Sequence, residues 1–264
     1  MEIVNKQAKA KISLQGAHIY EYVRSGEKDL LWMSEENSFE KEKAIRGGIP
    51  ICWPSFGMNN PNLPQHGFAR TTEFMHIATQ EIDEDTTQVL LRLVDKASTR
   101  ALWNYKFELD VIFTISKSLK IELKTTNLDN KSFTITQAFH TYFAISDIEN
   151  IEIFGLEEKP YFDALKKDIF MQNGSIKITK EFDNVYQEVD KTLLLQDKET
   201  THKINAKGSS STVVWNPWVE KCKRMSLMKE NAYREFVCIE TANAFEDFKL
   251  IKPQETHSLS VEIL

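Results

Sequence analysis

The sequence predicts an all-β fold, a sandwich or barrel of antiparallel strands. Three observations carry that reading. Period-2 alternation of apolar and polar residues recurs along the chain, the connections between alternating runs are short and rich in turn residues, and long amphipathic helical stretches are almost absent.

The elements follow in order. Ile12 and Leu14 form a first short alternating run, and Val89, Leu91 and Leu93 a second. Phe107, Leu109, Val111, Phe113 and Ile115 fall on one face of a strand, with Glu108, Asp110 and Thr114 on the other; Ile112 breaks the pattern. Leu119, Ile121 and Leu123 alternate with lysines and Glu122, while Leu259, Val261 and Ile263 alternate with serines and Glu262. These are the signatures of half-buried antiparallel strands. Ile176 and Ile178 are a shorter run of the same kind, and Leu128–Lys131 and Asn173–Ser175 carry turn residues. The stretch from Tyr161 to Asp168, after Pro160, is a candidate short helix, and Met225 to Tyr233 is a weaker one. With no fixed-period repeat, low-complexity tract or flexible linker, the 264 residues are expected to form a single domain, 1–264.

Composition excludes several function classes. Hydrophobic residues make up 41% and charged residues 27%, a globular composition with material for a large core. The net charge is −6 and no basic stretch stands out, so a nucleic-acid partner is disfavoured; runs such as Lys41-Glu42-Lys43 read as solvated faces. An anionic small substrate must instead be held by a few local cations. The three cysteines, Cys52, Cys222 and Cys238, are odd in number and widely spaced, which suits a reducing compartment better than a disulfide framework. The first residues, MEIVNKQAKAKISL, lack the pattern of an export signal, and no run approaches the roughly 20 apolar residues of a membrane span. The expected location is the cytoplasm, with no membrane partner. The oligomeric state stays open, a monomer included.

The longest segment without alternation runs from Ala44 to Arg70 and holds four of the seven prolines together with Gly47, Gly48, Gly57 and Gly67. Long irregular segments inside compact domains are usually functional. AIRGGIPICWP opens this loop with Arg46 as the single cation of an apolar string, either a surface residue beside a turn or an anion ligand with two fixed donors. QHGFAR closes it with Gln65, His66 and Arg70. AFHTYF embeds His140 among aromatics; in a strand, His140 and Tyr142 would share one face. Such a histidine is either a satisfied core residue or an acid tuned by burial. FVCIE ends an apolar run on Glu240, which lies either just past a strand in water or inside a pocket as a base. FDNVY offers Asp183 for hydroxyl binding and Tyr186 as an aromatic wall, and VVWNPW adds aromatic surface, although each also suits plain core packing. Walker and dinucleotide loops and the GxSxG elbow are absent.

Taken together, AIRGGIPICWP, QHGFAR, AFHTYF, FDNVY, VVWNPW and FVCIE, in that order, resemble the aldose 1-epimerase superfamily and, within it, the D-hexose-6-phosphate mutarotases, or glucose-6-phosphate 1-epimerases. The likeness spans roughly residues 10–262. It implies a galactose-mutarotase-like antiparallel β-supersandwich and a small-molecule sugar phosphate as partner. It also implies His140 as general acid, Glu240 as general base, His66 near the ring oxygen, Asp183 on sugar hydroxyls, and Arg46 and Arg70 on the phosphate, with Gln65 beside them. No metal, nucleotide or redox cofactor is needed for that chemistry, and no metal ligands are expected. The sequence departs from the family at Asn184, where arginine is frequent, and at Ser55 and near Phe74, where tryptophans are; these changes are expected to bear on the shape of the sugar pocket. Mutarotases of free aldoses and non-catalytic carbohydrate-binding proteins on the same fold are the competing readings.

Overall fold

The computed structural model describes residues 1–264 apart from Asn59 and Glu199. Two eight-stranded antiparallel sheets dominate it. The outer sheet runs in the order Glu152–Phe154, Leu193–Asp197, Thr200–Lys207, Thr256–Ile263, Leu119–Asn127, Phe107–Ile115, Thr86–Val94 and Met75–Asp83. The alternating runs of the sequence lie here. Phe107, Leu109, Val111, Phe113 and Ile115 are wholly buried, as are Val89 and Leu91, Leu119 and Leu123, and Leu259 and Ile263. Ile112, the residue that breaks the alternation, sits on the outer face opposite Leu90 and Glu122, partly exposed.

The second sheet runs in the order Asp168–Met171, Pro160–Asp163, Phe182–Tyr186, Ser211–Asn216, Phe236–Asn243, Gln137–Phe139 and Ile51–Cys52, with Tyr142–Ala144 also pairing onto Phe236–Asn243. Its central strands, Ser211–Asn216 and Phe236–Asn243, are buried on both faces. Val237 and Ile239 point into the main core, where they join residues of the outer sheet such as Val111 and Leu123. Phe236, Cys238 and Ala242 point the other way, into a second apolar cluster with Trp32, Tyr142 and Trp215. Two buried faces remove any need for alternation, so this sheet reads in sequence as short apolar runs.

Three expectations are corrected. Tyr161 to Asp168 is a β-hairpin, not a helix: strands Pro160–Asp163 and Asp168–Met171 pair, and Asp163 Oδ1 accepts from the backbone N–H of both Leu165 and Lys166 at 3.0 Å. The side-chain turn and the pairing with Phe182–Tyr186 outweigh local helix preference. The helix expected over Met225–Tyr233 lies upstream, at Trp218–Arg224; the later stretch keeps only a 3-10 turn starting at Ala232. Asn216 Oδ1 accepts from Trp218 N at 2.9 Å and starts that helix just after Pro217. Ile176 and Ile178 are buried, but Ile176 contributes only an isolated bridge to Ile153. All three cysteines are buried free thiols, and among the described residues no helix is long and apolar enough to cross a membrane.

Candidate active site

The register of the second sheet brings the singled-out residues together. Residues directly opposite on paired strands share a face. Asp183 faces Trp215, Val185 faces Val213, Val213 faces Glu240, and Cys238 faces Tyr142. All of these belong to the side of the sheet opposite the main core. Asp183, Tyr142, Trp215 and Glu240 line a cavity of about 380 Å³ there, together with His140, His66, Gln65, Arg46 and Arg70. A larger cavity, about 550 Å³, lies elsewhere against Asp29, Asp197 and His202. Its three acids are already engaged, Asp29 by the N–H groups of Tyr22 and Leu31, Asp197 by Ser146 and Glu27 by Arg24. The smaller cavity is therefore the candidate site, because its acids and bases converge on open space.

Glu240 stands in the middle of the Phe236–Asn243 strand and is 2% exposed, which overturns the reading that it lies past the strand in water. His140 occupies the break between the Gln137–Phe139 and Tyr142–Ala144 strands and is 9% exposed. Its N–H donates to Pro50 O at 3.0 Å, which ties the break to the long loop. His140 Nε2 lies 3.3 Å from Glu240 Oε1. Tyr142 does share a face with His140, and the two rings stack at 4.8 Å and 15°. His140 Nδ1 and Glu240 Oε2 are both buried without a hydrogen-bond partner. An unsatisfied buried polar atom is costly, and an acid and a base left so in one cavity are a functional signature.

Burial sets the charge state of the pair. It holds the His140 imidazole well below its ordinary range, with His66, Arg70 and Arg46 adding to the effect. It pushes the Glu240 carboxyl well above the ordinary range; Asp183 adds to this and Arg70 opposes it. The empty pair therefore rests as neutral imidazole and neutral carboxyl, with one exchangeable proton between them. Burial, then Arg70 and Arg46, likewise drives His66 down to about 3. The His66 ring meets His140 edge-on at 5.7 Å, and its Nδ1 accepts from Gly57 N at 3.3 Å.

The loop between Ala44 and Arg70 supplies the cations. Among the described residues its only strand is Ile51–Cys52. Gly48 is in the left-handed region, and a Cβ there would lie 2.5 Å from His18 Nε2; one on Gly67 would lie 2.1 Å from Trp53 O. Asn37 pins the Arg46 backbone from both sides, accepting its N–H at 2.8 Å and donating to its carbonyl at 2.6 Å. The Arg46 guanidinium reaches the Tyr142 hydroxyl at 3.5 Å, and Arg70 donates to Gln65 O at 2.7 Å. Among the described residues, arginine–carboxylate pairs involve Arg24, Arg92, Arg100 and Arg234. The two cavity guanidinia thus keep donors for an anion from outside.

His140, Glu240, His66, Asp183, Arg46, Arg70 and Gln65 all reach this cavity. Tyr186 does not: its ring is fully buried and its hydroxyl donates to Gln172 Oε1 at 2.7 Å. The three family departures do not line it either, since Asn184 alternates to the opposite face from Asp183 and Ser55 and Phe74 are buried behind it. Lys221 was missed. It enters from the Trp218–Arg224 helix, where one of four charges on a short helix reads as solvated. His18 was also missed; it is fully buried and its ring donates to Gly47 O at 2.9 Å behind the loop. Among the described residues no group of three or more His, Cys, Asp or Glu could hold a metal ion.

A two-layer antiparallel β architecture with a histidine–glutamate pair in a polar cavity defines the class as galactose-mutarotase-like, an enzyme of isomerase type. The chain belongs to the aldose 1-epimerase family, whose model matches residues 1–264. It is 32% identical over 257 residues to a protein of Escherichia coli (strain K12) provisionally named glucose-6-phosphate 1-epimerase, covering 95% of this chain and 85% of that one. A provisionally so named protein of Cenchrus ciliaris is 34% identical over 93% of this chain and 78% of its own. The crystal structure of a provisionally named mutarotase from Salmonella typhimurium superposes with a TM-score of 0.92 at 30% identity, covering 99% of this chain and 88% of that one. A galactose mutarotase related enzyme from Lactobacillus acidophilus, 15% identical with a TM-score of 0.77 over 100% of this chain and 96% of that one, shares the fold.

Proposed function

We propose that this protein is a mutarotase that interconverts the α and β anomers of a hexose 6-phosphate, with glucose 6-phosphate as the first candidate. The observation that carries this reading is a buried His140–Glu240 pair, 3.3 Å apart, in a cavity that also holds two guanidinia without carboxylate partners. The order of side chains across the sheet supports it. Arg46 and Arg70 lie on the loop side, then come His140, Glu240 one strand on, and Asp183 two strands beyond Glu240. Asp183 is level with Cys238, two residues along the strand from Glu240, so with strands about 4.8 Å apart and a rise of about 3.4 Å per residue the two backbone positions stand roughly 12 Å apart. A hexose 6-phosphate presents its atoms in a matching order: the phosphate on C6, the ring oxygen, C1 with its hydroxyl, then C2.

On this reading the carboxyl proton of Glu240 first passes to His140 across their 3.3 Å contact, and Glu240 then takes the proton from the anomeric hydroxyl as His140 delivers one to the ring oxygen. The C1–O5 bond breaks and the aldehyde forms. Rotation about C1–C2 presents the other carbonyl face, and the two protons return on closure. Ring opening converts carboxylate and imidazolium into carboxyl and imidazole, which is the state that burial already favours. Proton transfer thus cancels two desolvated charges as the chemistry proceeds. His66 lies beside the acid, Asp183 accepts sugar hydroxyls, and Gln65 braces the Arg70 side. The reaction requires no cofactor and runs within one domain of residues 1–264.

Exchange spectroscopy by NMR tests the proposal. Freshly dissolved α-glucose 6-phosphate and α-glucose are compared with and without protein, in the presence of a chelator. Acceleration is expected for the phosphorylated sugar. No acceleration over buffer for glucose, galactose and mannose 6-phosphates would end this reading. Acceleration of the free sugar alone would favour a mutarotase of free aldoses, and binding without acceleration a carbohydrate-binding protein.

A further inference from the structure

The cavity has a third cation, and it enters from the end opposite the two arginines. Lys221 sits on the Trp218–Arg224 helix with about a third of its side chain exposed. Its Nζ lies 3.1 Å from Glu181 Oε1, 3.7 Å from Asp183 Oδ2 and 5.8 Å from the centre of the Trp215 ring. The ammonium therefore hangs over the cavity wall between an outer acid and an inner one. An ammonium has three donors, and the two carboxylates engage no more than two of them here, so one donor remains available to the cavity, and the ammonium is the counter-charge that keeps the two acids from drawing in another cation.

Position gives this charge a target. This step rests on the proposed hexose 6-phosphate reading, in which C6 lies at the arginines, the ring oxygen at His140 and C1 at Glu240. The atom bonded to C1 on the far side from the ring oxygen is C2, and the next polar groups along the sheet are Asp183 and Lys221. We propose that Lys221 is a specificity-determining residue that reads the substituent on C2 and tilts the cavity toward a neutral hydroxyl and away from an ammonium. A hydroxyl can donate to Asp183 and accept from Lys221 at once. An ammonium on C2 can only donate, and it brings a second positive charge within a few ångströms of the first. Without Lys221, Glu181 and Asp183 remain as two carboxylates with no counter-charge between them, and the same end of the cavity attracts a cation.

The test compares glucose 6-phosphate with glucosamine 6-phosphate, which differ in the C2 substituent, on the full chain carrying Lys221→Met, Lys221→Gln or Lys221→Arg. Both kcat/KM for anomer exchange and Kd by calorimetry are measured. The ratio of glucosamine 6-phosphate to glucose 6-phosphate is expected to rise at least about tenfold in the Met and Gln variants, the size expected of one unit charge at this range in a partly solvated site. It is expected to stay within about twofold of the unaltered protein in Lys221→Arg, which keeps the charge. A ratio unchanged by both neutral variants overturns the proposal, as does an equal rise with arginine. If the unaltered protein speeds neither sugar, the mutarotase reading fails on its own, and the Kd ratios still decide the role of Lys221.

Discussion

The two large sheets of this molecule follow opposite rules. In the outer sheet, strands such as Phe107–Ile115 and Leu119–Asn127 run nine residues each and alternate strictly between buried and partly exposed positions. In the inner sheet, Phe236–Asn243 is buried at all eight positions and still carries a carboxyl, while its neighbours stop at three residues on either side of His140. The outer sheet is shaped by packing alone. The inner one gives up regularity and polar satisfaction to hold a histidine and a glutamate almost wholly buried at a cavity wall. Stability should therefore reside in the first and reactivity in the second.

The sharpest way to break that division is to alter the proposed proton-transfer pair. His140→Ala and Glu240→Gln should each lower kcat by about 10²-fold or more while the melting transition stays cooperative. Near-normal turnover in either folded variant would mean the wrong residue has been assigned. The pH profile of kcat/KM should be a bell with wide shoulders. Acid must add a second proton to a pair whose imidazole is held low, and base must remove the only proton from a carboxyl held high, so both limbs move away from neutrality. A narrow optimum would contradict the neutral resting pair.

The converse substitution lies in the outer sheet. Leu123→Ala empties a wholly buried position and should cost about 2–5 kcal/mol in denaturant unfolding, with kcat unchanged at temperatures where the variant is folded. A matching loss of kcat would show that the sheets are not separable in this way.

A smaller effect sits between the two regions. His18 is fully buried and burial lowers it to about 4 from an ordinary 6.5. As pH falls through that window the unfolded chain gains a proton that the folded chain refuses, so stability drops by up to about 3 kcal/mol and returns as pH rises. His18→Gln, which keeps a donor for Gly47 O, should flatten the stability curve between pH 4 and 6.5 by about one proton. An unaltered slope in urea titrations would remove His18 from the account.

The smallest expected change concerns the loop. The phosphate keeps its charge during ring opening, so its contacts should act mostly on KM. Arg46→Ala or Arg70→Ala should raise KM for the phosphorylated sugar about tenfold and leave activity on the free sugar nearly unaltered, with lysine recovering part of the loss. Equal losses on both sugars would make these arginines supports of the loop instead.

The same contrast explains what could be read from the chain. Val89, Leu109 and Val261 announce their strands because one face is apolar and the other polar. Phe236–Ile239 hides its strand because both faces are apolar. Tyr161–Asp168 misleads because the Asp163 turn is made by a side chain folding back on its own backbone, which periodicity does not register. At the site, His140, Glu240, Asp183 and the two arginines stand in strings specific enough to mark the family. Lys221 and His18 do not: one becomes a cavity residue only through a helix packing back over Trp215, the other only through a glycine that leaves room for its ring.

Of the charged and hydrogen-bonding groups in the cavity, Arg46, Arg70 and His66 come from the loop and Lys221 from a short helix, whereas Glu240 is built into a strand and His140 into the gap between two. On the proposed reading the reactive pair therefore lies in the sheet, while the groups that would recognise substrate, Asp183 excepted, lie on the loop and the helix. On that reading, a change of loop length or of one helical turn would readdress the cavity to a different sugar without disturbing the strands that carry the acid and the base. A scaffold built in this way can diversify its diet while its chemistry stands still.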